Sequence, residues 1–268
     1  MGWAGIERPA VGPFIAAAVQ DTPVTNARPT SRQAQPEVGP TTSQSPSVLV
    51  FDVNETLVDI DAMTPLFRQM FGSARAVHEW FEQLITYSMT AAMAQTYVDY
   101  FTLGQAVLRM LADIHMVRIT DDNIACIREA MLTMPAHPDV AAALTQLRDN
   151  GFRLASLTNS PFNRDGQSPL GHAGLAGFFE QQFSVDAWHT YKPDPTVYRQ
   201  VCHELAVAPA DCMMVAAHMW DTIGAQRVGY RAALVRRPGN AALVADALPQ
   251  PTLVVDDLHQ LVQRLGKP

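Results

Sequence analysis

A set of polar residues stands just past four separate segments that read as strands, and their types suit attack by a carboxylate. Asp52 ends the run Val48-Leu49-Val50-Phe51, and Thr56 follows it by four residues. Thr158 and Asn159 come after Arg153-Leu154-Ala155-Ser156-Leu157, and Lys192 comes after the third run. His218 and Asp221 follow Cys212-Met213-Met214-Val215-Ala216. An aspartate at the end of a buried strand can act as a covalent nucleophile, and a neighbouring ammonium lowers the energy of its ionised form and orients it. Asp52 could instead cap a helix, but the hydrophobic strand feeding it and the hydroxyl of Thr56 favour the nucleophile. His218 offers an imidazole suited to the activation of water, or else it is a structural histidine bonded to backbone at a strand end. Asp221 opens a helix, so it is an N-cap by default as well as a second acid for the site.

These residues meet only if the strand ends converge, and the rest of the chain is patterned for that. Val48–Phe51 is continuously apolar, as a strand covered on both faces of a parallel sheet must be. Helix Pro138 to Asn150, stopped by Gly151, precedes the strand Arg153–Leu157; a helix near Leu170 to Phe179 precedes the short strand Gln182–Val185. Helix Pro195 to Leu205, strand Cys212–Ala216, helix Thr222 to Val228 and strands Ala232–Val235 and Leu253–Val255 complete the alternation. Repeated strand-helix units imply an α/β fold of Rossmann-like architecture, with ligands bound beyond the carboxyl ends of the strands. Residues 63–134 interrupt the rhythm with helical patterning over Ala74 to Met89 and Ala91 to Ala112, which reads as an inserted helical cap. The core is then 47–62 with 135–268. Within the cap, Trp80, Tyr87, Tyr97, Tyr100 and Phe101 read as packing, with Tyr100 and Phe101 as candidate pocket walls.

Residues 1–46 are rich in Pro, Thr, Ser, Gln and Gly and predict a disordered N-terminal extension. The 268 residues carry 48% hydrophobic and 17% charged residues, a globular composition. A net charge of -7 with no basic patch argues against nucleic-acid and anionic-membrane partners. The longest early apolar run, Phe14–Val19, is too short to span a bilayer and lacks a basic flank, so a cytoplasmic protein is expected. Cys126, Cys202 and Cys212 have no Cys-x-x-Cys spacing and suggest neither a disulfide framework nor a zinc site.

The order of nucleophile, hydroxyl, ammonium and second acid along the chain resembles the haloacid dehalogenase superfamily, in which the aspartate opening Asp-x-x-x-Thr attacks the substrate. Phe51-Asp52-Val53-Asn54-Glu55-Thr56-Leu57-Val58-Asp59, Ser184-Val185-Asp186 with Tyr191-Lys192-Pro193-Asp194-Pro195-Thr196-Val197-Tyr198, and Trp220-Asp221-Thr222-Ile223-Gly224-Ala225 look closest to the type II 2-haloacid dehalogenases. The likeness covers roughly residues 47 to 265. It implies metal-independent hydrolysis of a short 2-haloacid through an aspartyl ester, with no cofactor and a small carboxylate as the substrate partner. It further implies that Thr56, Thr158 and Asn159 hydrogen-bond the substrate carboxylate or halide, that Tyr198 and Asp221 position Lys192 and the hydrolytic water, and that Trp220 walls the site.

The residues also speak to the phosphatase branch. Those enzymes carry a proton-donating acid two residues after the nucleophile, here Asn54, and bind magnesium with acids spaced four apart, here Ala217 and Asp221. A halide leaves without a proton and without a metal, so both losses suit attack on carbon. Three positions depart from the dehalogenase pattern: Asn54 replaces an aromatic residue, Phe81 stands where the cap arginine lies, and Ala216-Ala217-His218 replaces an asparagine flanked by serine. Loss of that arginine removes a charge-assisted contact of about 1.5–3 kcal/mol. The alternatives are a related hydrolase cleaving C–N or C–O bonds, a magnesium-dependent phosphatase, and a non-catalytic small-acid binding protein. A homodimer is plausible from apolar cap positions.

Overall fold

A computed structural model of the protein describes residues 46–162 and 168–266, so the expected N-terminal extension lies, apart from Pro46, outside the described residues. Six parallel strands form one sheet in the order β3-β2-β1-β4-β5-β6: β1 is Val48–Phe51, β2 Arg153–Thr158, β3 Gln181–Ser184, β4 Cys212–Ala216, β5 Arg231–Val235 and β6 Leu253–Val255. β1 and β4 are buried along their whole length, which is why they read as unbroken apolar runs. Each large side chain of β1 contributes about 1.5–3 kcal/mol by leaving water, and an acid at Val50 would place an unpaired charge there.

The chain leaves β1, builds β2 and β3 on one side, and returns to β4 on the other, so β1 sits at the topological switch point. Phe51 is level with Ser156 of β2 and Val215 of β4. The Asp52 amide then donates to the Val215 carbonyl at 3.0 Å, extending the ladder one residue and presenting Asp52 at the mouth of the crevice.

Between β1 and β2 the chain forms a helical block: α1 Thr64–Phe71, α2 Ala76–Met93, α3 Tyr100–Ile114 and α4 Asp121–Leu132. Two helices were expected over most of this block, the first ending at Met89 and the second starting at Ala91; the break falls later, at Ala94–Asp99. Asp99 Oδ1 accepts from the amides of Phe101 and Thr102, so the N-cap, invisible to apolar periodicity, decides where α3 begins. α2 and α3 approach closely at Gly104, where an added Cβ would lie 3.1 Å from the Trp80 ring, and Trp80 Nε1 donates to the Gly104 carbonyl at 2.8 Å. Tyr97 donates to Asp186 at 2.5 Å and Tyr191 to the Val98 carbonyl, tying the α2–α3 connection to the segments after β3.

The core helices are α5 Val140–Asp149, α6 Pro169–His172, α7 Pro195–Leu205, α8 Met219–Gln226 and α9 Leu258–Leu265. The single helix expected near Leu170 to Phe179 is instead α6 followed by a 3-10 turn, Ala176–Phe178; Gly174 at φ 71 breaks it. α8 starts three residues earlier than the apolar pattern suggests. Cys202 and Cys212 come within 3.9 Å, a proximity their spacing did not forecast, because α7 packs on β4. Among the described residues, no helix is long and apolar enough to cross a membrane.

Candidate active site

The Asp52 carboxylate is held from both oxygens. Lys192 Nζ donates to Oδ1 at 2.7 Å and Thr56 Oγ1 donates to Oδ2 at 2.6 Å. Thr56 accepts in turn from the Ala217 amide at 2.9 Å, which fixes its hydroxyl proton toward Asp52. The Lys192 ammonium also donates to Asp221 Oδ2 at 2.6 Å and to the Leu157 carbonyl at 3.0 Å, so its three protons are all used. Burial alone would pull Lys192 down, but Asp221 and Asp52 outweigh it and hold its pKa above the ordinary lysine value. Burial raises the Asp221 carboxyl despite the opposing pull of Lys192. Tyr198 donates to Asp221 Oδ1 at 2.6 Å, and burial followed by the charge of Asp221 keeps that phenol protonated.

Asp221 does not cap α8. The N-cap is His218, and the Asp221 side chain, in the first turn, reaches across to Lys192 and Tyr198 instead. His218 Nδ1 lies 4.0 Å from Asp52 Oδ2 and is buried without a hydrogen-bond partner, while Nε2 bonds Glu55 Oε2 at 2.5 Å. That partner assigns the ring proton to Nε2 and leaves Nδ1 as an acceptor beside Asp52.

Glu55 sits at φ 62, a left-handed conformation that costs a non-glycine residue on the order of 1–3 kcal/mol. The loop is over-determined by its surroundings. The Leu57 and Val58 amides donate to the Val53 carbonyl, His137 Nε2 bonds the Glu55 carbonyl at 3.0 Å, and Arg237 donates through Nε and Nη2 to the Thr56 carbonyl at 3.1 and 2.9 Å. Arg237 is itself fixed by both oxygens of Asp139.

A small cavity of about 10 Å³, room for about one water, is lined by Asp52, Asn54, Phe81, Ile85, Tyr100, Asn159, His218 and Trp220. Phe81, Ile85, His218 and Trp220 also line an outer cavity of about 450 Å³ that extends past Thr86 and Met89. The Trp220 ring stacks on His218, with centroids 5.2 Å apart, and lies 5.5 Å from Lys192 Nζ. Asn54 donates to Ser160 Oγ at 3.2 Å, and Asn159 Oδ1 accepts the Lys192 amide at 3.1 Å.

Thr158 and Phe101 do not face the cavity as expected, whereas Tyr198 sits with Asp221 beside Lys192. Thr158 Oγ1 accepts the Ser160 amide and holds the turn after β2. Tyr198 serves Asp221. Phe101 lines a separate cavity with Asp99, Thr102 and Arg128, because consecutive helical residues point about 100° apart and Tyr100 takes the direction of Asp52.

A model of the haloacid dehalogenase-like hydrolase family matches residues 46–229. The chain belongs to that family. The (S)-2-haloacid dehalogenase 4A of Burkholderia cepacia is 28% identical over 193 residues, covering 71% of this chain and 83% of that protein. The crystal structure of a dehalogenase with an intermediate complex superposes with a TM-score of 0.76 at 26% identity, covering 84% of this chain and 99% of the other. A plasmid phosphoglycolate phosphatase of Cupriavidus necator is 38% identical over 130 residues, but these cover 46% of this chain and 53% of that protein.

Within the haloacid dehalogenase-like family, the donor set here does not fit the magnesium site of a phosphatase. Asn54 and Ala217 supply no carboxylate, and the Lys192 ammonium already bonds both Asp52 and Asp221. Among the described residues, no group of three or more His, Cys, Asp or Glu side chains is placed to hold a metal ion.

Inspection of the sequence missed Glu55, His137, Ser160 and Arg237. Glu55 carried one signal, an acid inside the nucleophile loop; Arg237 carried another, a basic residue just past a fifth strand. Neither names its partner, since those bonds join residues 82 to 181 positions apart.

Proposed function

We propose that the protein is a hydrolytic dehalogenase of short 2-haloacids that works through an ester of Asp52 and needs no metal. The observation that carries this is a buried carboxylate gripped by the Lys192 ammonium and the Thr56 hydroxyl, with a small cavity in front of it and the free Nδ1 of His218 alongside. In the first step an Asp52 oxygen attacks the α-carbon; the C–O bond forms as the C–halogen bond breaks, and the halide leaves with the bonding pair. Lys192 holds the carboxylate oriented for attack. In the second step His218 Nδ1 takes a proton from water as the hydroxide adds to the aspartyl carbonyl. The tetrahedral adduct collapses and the bond from the aspartyl carbon to the substrate oxygen breaks. The leaving alkoxide takes the proton back from His218 and departs as the 2-hydroxyacid, and the Asp52 carboxyl loses its own proton to solvent to restore the carboxylate. Glu55 is the positioning residue for His218, holding its tautomer and stabilising the imidazolium that forms. Helices α1–α4 act as the cap, since Phe81, Ile85 and Tyr100 close the cavity over Asp52.

The similarity to (S)-2-haloacid dehalogenases supports the substrate class, and Asn54 with Ala217 argues against phosphoryl transfer. Single turnover of 2-chloropropionate in heavy-oxygen water, followed by mass analysis of the Asp52 peptide, tests the route. Label is expected in the Asp52 carboxylate, and His218→Asn is expected to accumulate the unhydrolysed ester on that peptide. Label in the product alone, or magnesium-dependent phosphate release from a phosphate monoester without halide release, would overturn the proposal.

A further inference from the structure

The mechanism leaves the Tyr100 hydroxyl unused. Tyr100 is fully buried and lines the same small cavity as Asp52; its hydroxyl makes no hydrogen bond of good geometry among the described residues, and its one polar neighbour with a bonding influence is Asn54, whose Oδ1 is equally unpartnered. A buried hydroxyl without a partner weakens a fold, and native structures retain few of them. The remaining walls include the apolar Phe81 and Ile85, and the Lys192 ammonium has no proton left to give. An anion released into this space therefore needs neutral donors, and of the Asn54, Asn159, Trp220 and Tyr100 groups that line it, the Tyr100 hydroxyl is the buried O–H without a well-formed bond.

We propose that the Tyr100 hydroxyl is the hydrogen-bond donor that receives the departing halide, a role that rests on the ester mechanism above. The phenol donates without transferring its proton: the C–halogen pair leaves with the halogen, and the Tyr100 O–H shares its hydrogen with the anion as charge develops. Burial, and after it the charge of Asp52, keep the phenol protonated, so it is always a donor. Its position at the start of α3, beside the Asp99 cap, makes it a rigid donor rather than a mobile one.

Tyr100→Phe isolates the hydroxyl, because the ring and its packing stay. The melting temperature is expected to change little, since the hydroxyl makes no well-formed bond within the described residues. Single-turnover chloride release from 2-chloropropionate should fall about 10- to 100-fold, and iodide release from 2-iodopropionate should fall several-fold less, because the smaller anion concentrates its charge. Bromide titration of the protein, followed by tryptophan fluorescence, should also show weaker binding in the variant, a readout independent of turnover. Equal losses for chloride and iodide, unchanged bromide binding, or a marked drop in melting temperature would overturn the proposal. A rise in the inhibition constant of lactate with no leaving-group dependence would place the hydroxyl on the substrate carboxylate instead and refute it. If the parent protein releases no halide from either acid, the ester mechanism falls first and this role with it.

Discussion

Replacing Lys192 by methionine keeps the length of the side chain and removes one charge from between two buried carboxylates. The ammonium is fully enclosed, 2.7 Å from Asp52, 2.6 Å from Asp221 and 3.0 Å from the Leu157 carbonyl. Without it, Asp52 retains Thr56 and Asp221 retains Tyr198 as donors, and neither has a counter-charge. Breaking a buried pair by removing one partner costs about 3–5 kcal/mol, and with each kcal/mol worth roughly 2–4 °C in a domain of this size, the melting temperature should drop by about 6–20 °C at pH 8.

The sign of the pH dependence follows from the same charges. In Lys192→Met the Asp221 carboxyl, raised by burial, loses the ammonium that opposes that rise, so its folded pKa lies above its unfolded one and its contribution to stability is lost as pH rises and regained as pH falls. Asp221, already raised in the parent by burial, should take up the proton first. The gap between variant and parent should therefore narrow from about pH 8 to about pH 5, as followed by circular dichroism melts. A melting temperature within about 2 °C of the parent at both pH values, or a gap that widens on acidification, would refute the idea that one ammonium neutralises this pair. Halide release should fall to background in the same variant.

Gly224→Ala should act through Tyr198, because an added Cβ would lie 2.7 Å from both the Tyr198 hydroxyl and Pro193 Cβ. A loss of about 1–3 kcal/mol in urea unfolding and a lower rate of halide release are expected; unchanged values of both would show that α8 can shift without cost. At Asp139, burial pushes the carboxyl up, but the Leu258 amide and Arg237 together bring it below its usual 3.8. Its contribution to stability is present above that pH and is lost as pH falls through the lower folded value. Asp139→Asn should thus lower the urea midpoint at neutral pH and converge with the parent below about pH 4; a difference that persists undiminished at pH 3 would refute the linkage.

Much of this molecule is legible in one dimension. The parallel sheet is, because strands covered on both faces must be continuously apolar, and β1 and β4 are. Asp52, Thr56 and His218 are candidates for the same reason, since each follows such a run, and Lys192 because it follows a further strand; parallel strands bring their carboxyl ends to one crevice. Where elements begin is less legible: α3 starts at an Asp99 side-chain cap and α6 ends at a left-handed Gly174, local bonds and dihedrals that hydrophobic periodicity does not carry.

Only the folded chain decided how the site is wired. His218 meets Glu55 because Glu55 takes a positive φ that His137 and Arg237 stabilise from two distant segments. Asp221, a default helix cap by position, is drawn to Lys192 instead, because a buried ammonium must have its charge met. Tyr100 faces Asp52 while Phe101 faces away, a choice made by the rotation of α3 against the sheet. Residue type and local period specify the kinds of groups and the strand that bears them; the direction of each side chain depends on packing between segments 23 to 181 residues apart.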